Sequence, residues 1–274
     1  MTLDHLLPFA PLRPTVAPDR STVYLPTPRR VLGIWAHPDD EAYLAAGLMD
    51  RVVRAGGHVT VVALTDGEAG FADDDRRSIG VRRTLRRSEL RAAMAEIGVT
   101  DVRFVGQPDG GVADGDHATI ADGLVAIADE VRPDVTVTFG SDGVTGHDDH
   151  VACWRLATRA WLGQPCGELW YAAKAVDWLD EWREMHDRLG IWMTDEPVGV
   201  SGADVHASVR LTAPELDRKR AVLDAHASQT GGVVAAFGEA GYRRWIAEEA
   251  FRLPTLAELE SVASVDALVG SVAS

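Results

Sequence analysis

Between residues 30 and 173, apolar runs of strand length alternate with stretches of helical period, and this alternation restricts the fold more than any other feature. The strand candidates are RVLGIWA (30–36), HVTVVALT (58–65), DVRFVG (101–106), PDVTVTFG (133–140) and GELWYAA (167–173). Helical spacing covers 41–55, which stops at Gly56-Gly57, then 81–98, 117–131 and 149–162. The first run has no polar alternation, as expected of a parallel strand buried on both faces. Strand–helix repetition of this kind gives an α/β fold: a Rossmann-like, mostly parallel sheet with helices on both faces.

The flanks are less regular. Residues 1–28 are rich in proline and aperiodic, and read as an irregular arm. Residues 29–274 read as a single domain, with 174–274 as a C-terminal elaboration. That elaboration holds an acidic, Trp-bearing stretch (DWLDEWREMHDRLGIW). A helix follows, from a cap at Thr212 to Gly231-Gly232, and then a terminal helical segment. Trp170, Trp178, Trp182 and Trp192 are candidates either for stacking on sugar or apolar faces or for the core.

Composition narrows the partners. The formal net charge is −15, which argues against nucleic acid and anionic membrane surfaces. The N-terminus lacks a basic region followed by an apolar one, so it does not read as a signal peptide. No apolar run approaches the ~18 residues of a membrane span. Two cysteines, Cys153 and Cys166, do not make a disulfide framework, and a cytoplasmic location is expected.

In a parallel sheet, ligands bind beyond the carboxyl ends of the strands. His37 follows the first strand, Asp66 to Glu68 the second, Gln107 to Asp109 the third, and Ser141 to His150 the fourth. A dinucleotide site would place glycines after the first strand, so that backbone N–H groups can approach a pyrophosphate. His37-Pro-Asp39-Asp40-Glu41 stands there instead and favours a cation. The loop after strand four adds His147 and His150, one able to bind metal while the other faces substrate. Histidine and carboxylate donors suit catalytic zinc, which keeps a position open for water. For the acids at 39–41, the competing reading is an N-cap or a first-turn charge.

AHPDDE (36–41) paired with GHDDH (146–150) resembles the zinc-dependent N-deacetylases of the LmbE-like, or PIG-L, family. TDGEAG (65–70), RRSELRAAMAEIGV (86–99), VGQPDGGV (105–112) and KRAVLDAHASQT (219–230) extend the resemblance over most of 30–232. Asp148 departs from it, because proline is common at that position.

The resemblance implies His37, Asp40 and His150 as ligands of Zn²⁺ or another divalent ion. It implies Asp39 as general base, with His147 facing it across the scissile amide. Arg86 and Asp109 match positions that hold sugar hydroxyls. Arg86 is also one of six arginines between 76 and 87, which can form a solvated helix face, and Asp109 can be a turn residue after Pro108. His226 and Gln229 either line the site or cap a helix.

The implied activity is removal of acetyl from an N-acetylglucosamine-type conjugate, a small molecule. The rivals are an amidase releasing a larger acyl group, a catalytically silent sugar-binding relative, and a structural metal protein. An intact Asp39 argues against the silent relative. A ligand set short of four protein groups argues against a closed structural site.

Overall fold

A computed structural model describes residues 27–194 and 197–272, the stretch 265–272 through its backbone alone. Nearly all of the expected N-terminal arm lies outside the described residues. The alternation is present as β1 (Arg30–Trp35), α1 (Asp40–Arg54), β2 (His58–Thr65), α2 (Ile79–Glu96), β3 (Asp101–Gln107), α3 (His117–Val131), β4 (Val135–Phe139), α4 (Asp148–Gly163) and β5 (Glu168–Ala173). These five strands are parallel, in the order β3-β2-β1-β4-β5. The uninterrupted apolar runs have their cause here: Val31, Leu32, Ile34 and Trp35 of β1 are all buried, so neither face of the strand meets water.

The strand order reverses between β1 and β4, and a crevice opens at the carboxyl ends of strands at such a switch point. Chain order alone therefore sets the loop after β1 beside the loop after β4. Local chemistry starts the covering helices. Ser78 accepts from Val81 N–H at the head of α2, and Asp116 accepts from Thr119 N–H at the head of α3.

The C-terminal elaboration is more regular than its sequence suggests. It contributes α5 (Val176–Leu189), β6 (Ala207–Arg210), α6 (Ala213–Ala225), α7 (Ala227–Trp245), β7 (Glu248–Arg252) and α8 (Leu256–Val272). β7 pairs antiparallel with β5, and β6 antiparallel with β7, extending the sheet to seven strands. The Trp-bearing stretch forms α5, which buries Trp178, Leu179 and His186.

The helix expected over 212–232 breaks at His226. Its successor α7 runs through Gly231-Gly232 to Trp245, bending at Gly238 (φ 67°, ψ 156°). The paired glycines are a local stop signal. Phe237, Tyr242 and Trp245 beyond them pack into one another and onto the core, and that packing carries the helix onward.

A buried ion pair ties this region to α1. Glu249 of β7 accepts from the N–H groups of Gly47 and Leu48, in the middle of α1. Lys219 of α6 donates to Glu249 and to the Tyr43 carbonyl one turn earlier. Among the described residues, no helix is long and apolar enough to cross a membrane.

Candidate metal centre

The β1–α1 turn is strained. Asp39 has φ 122° and ψ −25°, a region that L-residues rarely adopt and that costs of order 1–3 kcal/mol. Its surroundings hold it there. Glu41 accepts from Asp39 N–H at 3.0 Å, and the Asp39 carbonyl accepts from Ala42 and Tyr43 N–H. Arg86, reaching across from α2, donates to the Pro38 carbonyl, and its guanidinium lies 3.5 Å from the Asp39 carboxylate. Gly67 makes room for that guanidinium: its φ is +67°, and a Cβ there would lie 2.8 Å from Arg86 Cζ.

In the β4–α4 turn the positive φ values fall on Gly143, Val144 (61°) and Gly146, and the histidines that follow are unstrained. His147 is the N-cap of α4 with extended φ/ψ, and its Nδ1 accepts from Asp149 N–H at 3.1 Å. The neutral ring therefore carries its hydrogen on Nε2. His150 lies on the first turn of α4, stacked on Phe139 with centroids 4.2 Å apart. Its Nδ1–H donates to the Gly143 carbonyl at 3.0 Å, which leaves Nε2 as a lone pair facing the crevice.

Residues 113 positions apart meet here. His150 Nε2 is 3.2 Å from His37 Nδ1 and 3.3 Å from Asp40 Oδ1, and His37 Nδ1 is 3.7 Å from Asp40 Oδ2. Donors held tetrahedrally about 2.1 Å from a zinc ion stand about 3.4 Å from one another, so this triangle has the right size for one. The outer side of His37 fits as well: its Nε2 lies 3.1 Å from both Asp149 and Asp109, the carboxylate backing that orients a metal-ligating imidazole. His37, Asp40 and His150 thus form one candidate cation site. His37, His147 and Asp149 form a second, overlapping group.

Electrostatics points the same way. Burial disfavours charge on His37, but hydrogen bonds to Asp109 and Asp149 and the field of Asp40 override it, raising the pKa to about 10. His150 falls to about 3, through burial and then the positive charge on His37. One proton on His37 Nδ1, pointing at His150 and Asp40, thus neutralises the cluster where a cation would. Burial raises Asp39 and Asp40 to about 6 each, against the pull of Arg86 on the first and His37 on the second. Asp109 is lowered to about 2, because its bond with His37 outweighs its burial.

Arg86 is buried, not a solvated helix face, and it faces Asp39. Asp109 bonds His37 and Ala69 N–H, so the structure places it behind His37 as well as beside the loop after β2. Trp170 and Trp178 are core, with Trp178 Nε1 donating to the Trp245 carbonyl. Trp192 lines a cleft of about 600 Å³ with Val144, Gly146 and Val151, beside the His147 loop.

Sequence reasoning missed three buried carboxylates. Asp149 also accepts from Gly110 and Val112 N–H, joining the loop after β3 to His37. Glu41 holds Asp39, and Glu89 accepts from both N–H and Oγ of Ser228 at the start of α7. The need of a ligating histidine for an acceptor behind it was the available signal for Asp149.

Residues 32–161 match the sequence profile of the PIG-L family, described as GlcNAc-PI de-N-acetylase. That match covers 130 of the chain's 274 residues, a little under half. The match spans β1 to α4 and so includes both turns of the centre.

A 1D-myo-inositol 2-acetamido-2-deoxy-alpha-D-glucopyranoside deacetylase of Streptomyces avermitilis is 39% identical over 157 residues, covering 48% of this chain and 52% of that protein. The chain thus spans about half the length of the curated relatives it matches. In fold, the chain resembles N,N'-diacetylchitobiose deacetylase of Pyrococcus horikoshii (TM-score 0.60, 19% identity, 83% of this chain and 84% of that one). It also resembles 4-carboxy-2-hydroxymuconate hydratase of Pseudomonas putida (TM-score 0.52, 18% identity, 83% and 96%). A deacetylase and a hydratase share this architecture, so the reaction has to be argued from the site.

Proposed function

We propose that the protein is a zinc-dependent amide hydrolase that removes acetyl from an N-acetylglucosamine-type sugar conjugate, with His37, Asp40 and His150 holding the metal. The observation that carries this reading is the triangle of donors with a half-buried carboxylate, Asp39, left outside it. The 39% identity with a deacetylase over about half of the chain supports it, as does the PIG-L profile match over 32–161, which contains both turns.

A divalent cation at this site supplies Lewis acidity, lowering the pKa of bound water toward ~7 and polarising the amide carbonyl. Asp39 takes the proton of the attacking water. Burial raises the Asp39 carboxyl to about 6 in the metal-free chain, which makes it a better proton acceptor than a solvated carboxylate. His147 presents Nε2–H, a donor for the carbonyl oxygen as negative charge develops on it. That tautomer cannot give its hydrogen away without becoming an imidazolate, so the proton for the leaving amine comes back from Asp39. The balance is water plus N-acetyl amine giving acetate plus free amine. Arg86 and Asp109, at the same crevice, are the proposed hydroxyl contacts, with Asp109 also backing His37.

The test is a panel of N-acetylglucosaminyl conjugates, the inositol conjugate first, incubated with zinc-loaded protein. Acetate and free amine should appear in equal amounts and vanish with a chelator. Amine released without acetate indicates a larger acyl group, and neither product from any conjugate defeats the reading.

A further inference from the structure

We propose that His226 is a positioning residue: through the buried Glu41 carboxylate it holds the main chain of Asp39 in the left-handed conformation that presents this base. The inference rests on Asp39 being the base of the reaction above.

A strained backbone persists only where its surroundings fix it from several sides. Asp39 N–H donates to Glu41 Oε2, two residues on. A carboxylate held by that bond alone could still turn about its own axis. Its second oxygen, Oε1, accepts from His226 Nε2 at 2.9 Å, and both side chains are fully buried. With both oxygens pinned, the Asp39 N–H has one direction left to point.

His226 is itself fixed. It lies at the corner where α6 ends and α7 begins, its N–H bonded to the Leu223 carbonyl and its carbonyl accepting from Gln229 and Thr230 N–H. The corner is clamped to α2 through Ser228 and Glu89, and to the loop after β2 through Gln229 Nε2 and the Gly70 carbonyl. The segment 185 positions from Glu41 is thus anchored before it touches the turn.

A residue kept for packing alone would be apolar here. His226 Nδ1 is buried without a partner, a cost that a leucine would avoid. What the imidazole adds is the Nε2–H aimed at Glu41.

His226→Gln keeps an N–H donor near the place of Nε2, whereas His226→Leu fills the volume without one. The Leu variant should lose about 100-fold in kcat, as a small misplacement of a reacting group does. Its KM and zinc per chain should match wild type, and the Gln variant should keep most of the wild-type kcat. A Leu variant with wild-type kcat, equal losses in both variants, or a loss that follows zinc content would overturn the proposal.

Should His226→Leu not fold, Glu41→Met decides. Its side chain has the length of the glutamate but no acceptor for the Asp39 N–H, so kcat falls with KM and zinc kept; an unchanged kcat overturns the proposal. A wild-type protein inactive on every conjugate defeats the hydrolase reading and leaves the positioning claim to crystal structures of the same variants. Asp39 should keep its positive φ in the Gln variant and relax in the Leu variant or in Glu41→Met. A positive φ surviving in those last two overturns the claim.

Discussion

The two turns that meet at the candidate centre both end a parallel strand and both start a helix with acids in its first turn, yet they are built in opposite ways. The β1–α1 turn is strained at Asp39, has no side-chain cap, and concentrates carboxylates whose pKa values burial has raised. The β4–α4 turn takes its positive φ at Gly143, Val144 and Gly146, away from its donors, which are relaxed; it is capped by His147 and supplies imidazoles whose tautomers are fixed by backbone groups. One turn brings charge and a base held under strain. The other brings neutral donors that need only orientation. A site made from two turns of the first kind would repel itself, and one made from two of the second would lack a base.

The largest effect should come from removing a donor contributed by the β4–α4 turn. His150→Ala should abolish both metal binding and turnover, measured by metal content after gel filtration and by acetate release. Retained metal would mean that the second turn is not a ligand turn. Next comes the strained turn: Asp39→Asn should keep stoichiometric metal and lose about 10²–10⁴ in kcat, the usual worth of a general base. Loss of metal in that variant would make Asp39 a ligand and erase the division between the turns.

A smaller effect is expected at the residue joining them. Asp149→Asn weakens the backing of His37 and should lower metal affinity about 10–100-fold, read by competition with a chromophoric chelator. The smallest signal is a proton. Because His37 is raised from 6.5 to about 10, it is protonated in the metal-free chain at pH 7 and must lose that proton on ligation. Calorimetry in buffers of differing ionisation enthalpy should show release of about one proton, and apparent affinity should rise about tenfold per pH unit through the neutral range. No release would contradict the charge distribution at the first turn.

Much of this comparison was legible in the chain. The apolar runs identified β1 to β5, and the strand-end positions of His37 and His150 indicated one rim, because period and chain order are local properties. The antiparallel strands β6 and β7 were not legible. β6 is only four residues long, and β7 opens on two acids, Glu248 and Glu249, of which Glu249 is buried only because Lys219 and the N–H groups of α1 lie opposite. The break at His226 was missed for a similar reason: the corner exists to meet Glu41 and Glu89, partners far away in sequence. Glu41 read as a helix-start acid and Asp149 drew no reading of its own, and only the fold shows what each carboxylate accepts.

The central claim is that a divalent ion sits on His37, Asp40 and His150 with Asp39 beside it and unbound. Crystals grown with zinc, with anomalous data collected on either side of the zinc edge, test it directly. The expected result is one strong peak within about 2.0–2.2 Å of those three side chains, with a position open toward Asp39. A peak on His37, His147 and Asp149 instead, or a metal closed off by four protein ligands, would contradict it.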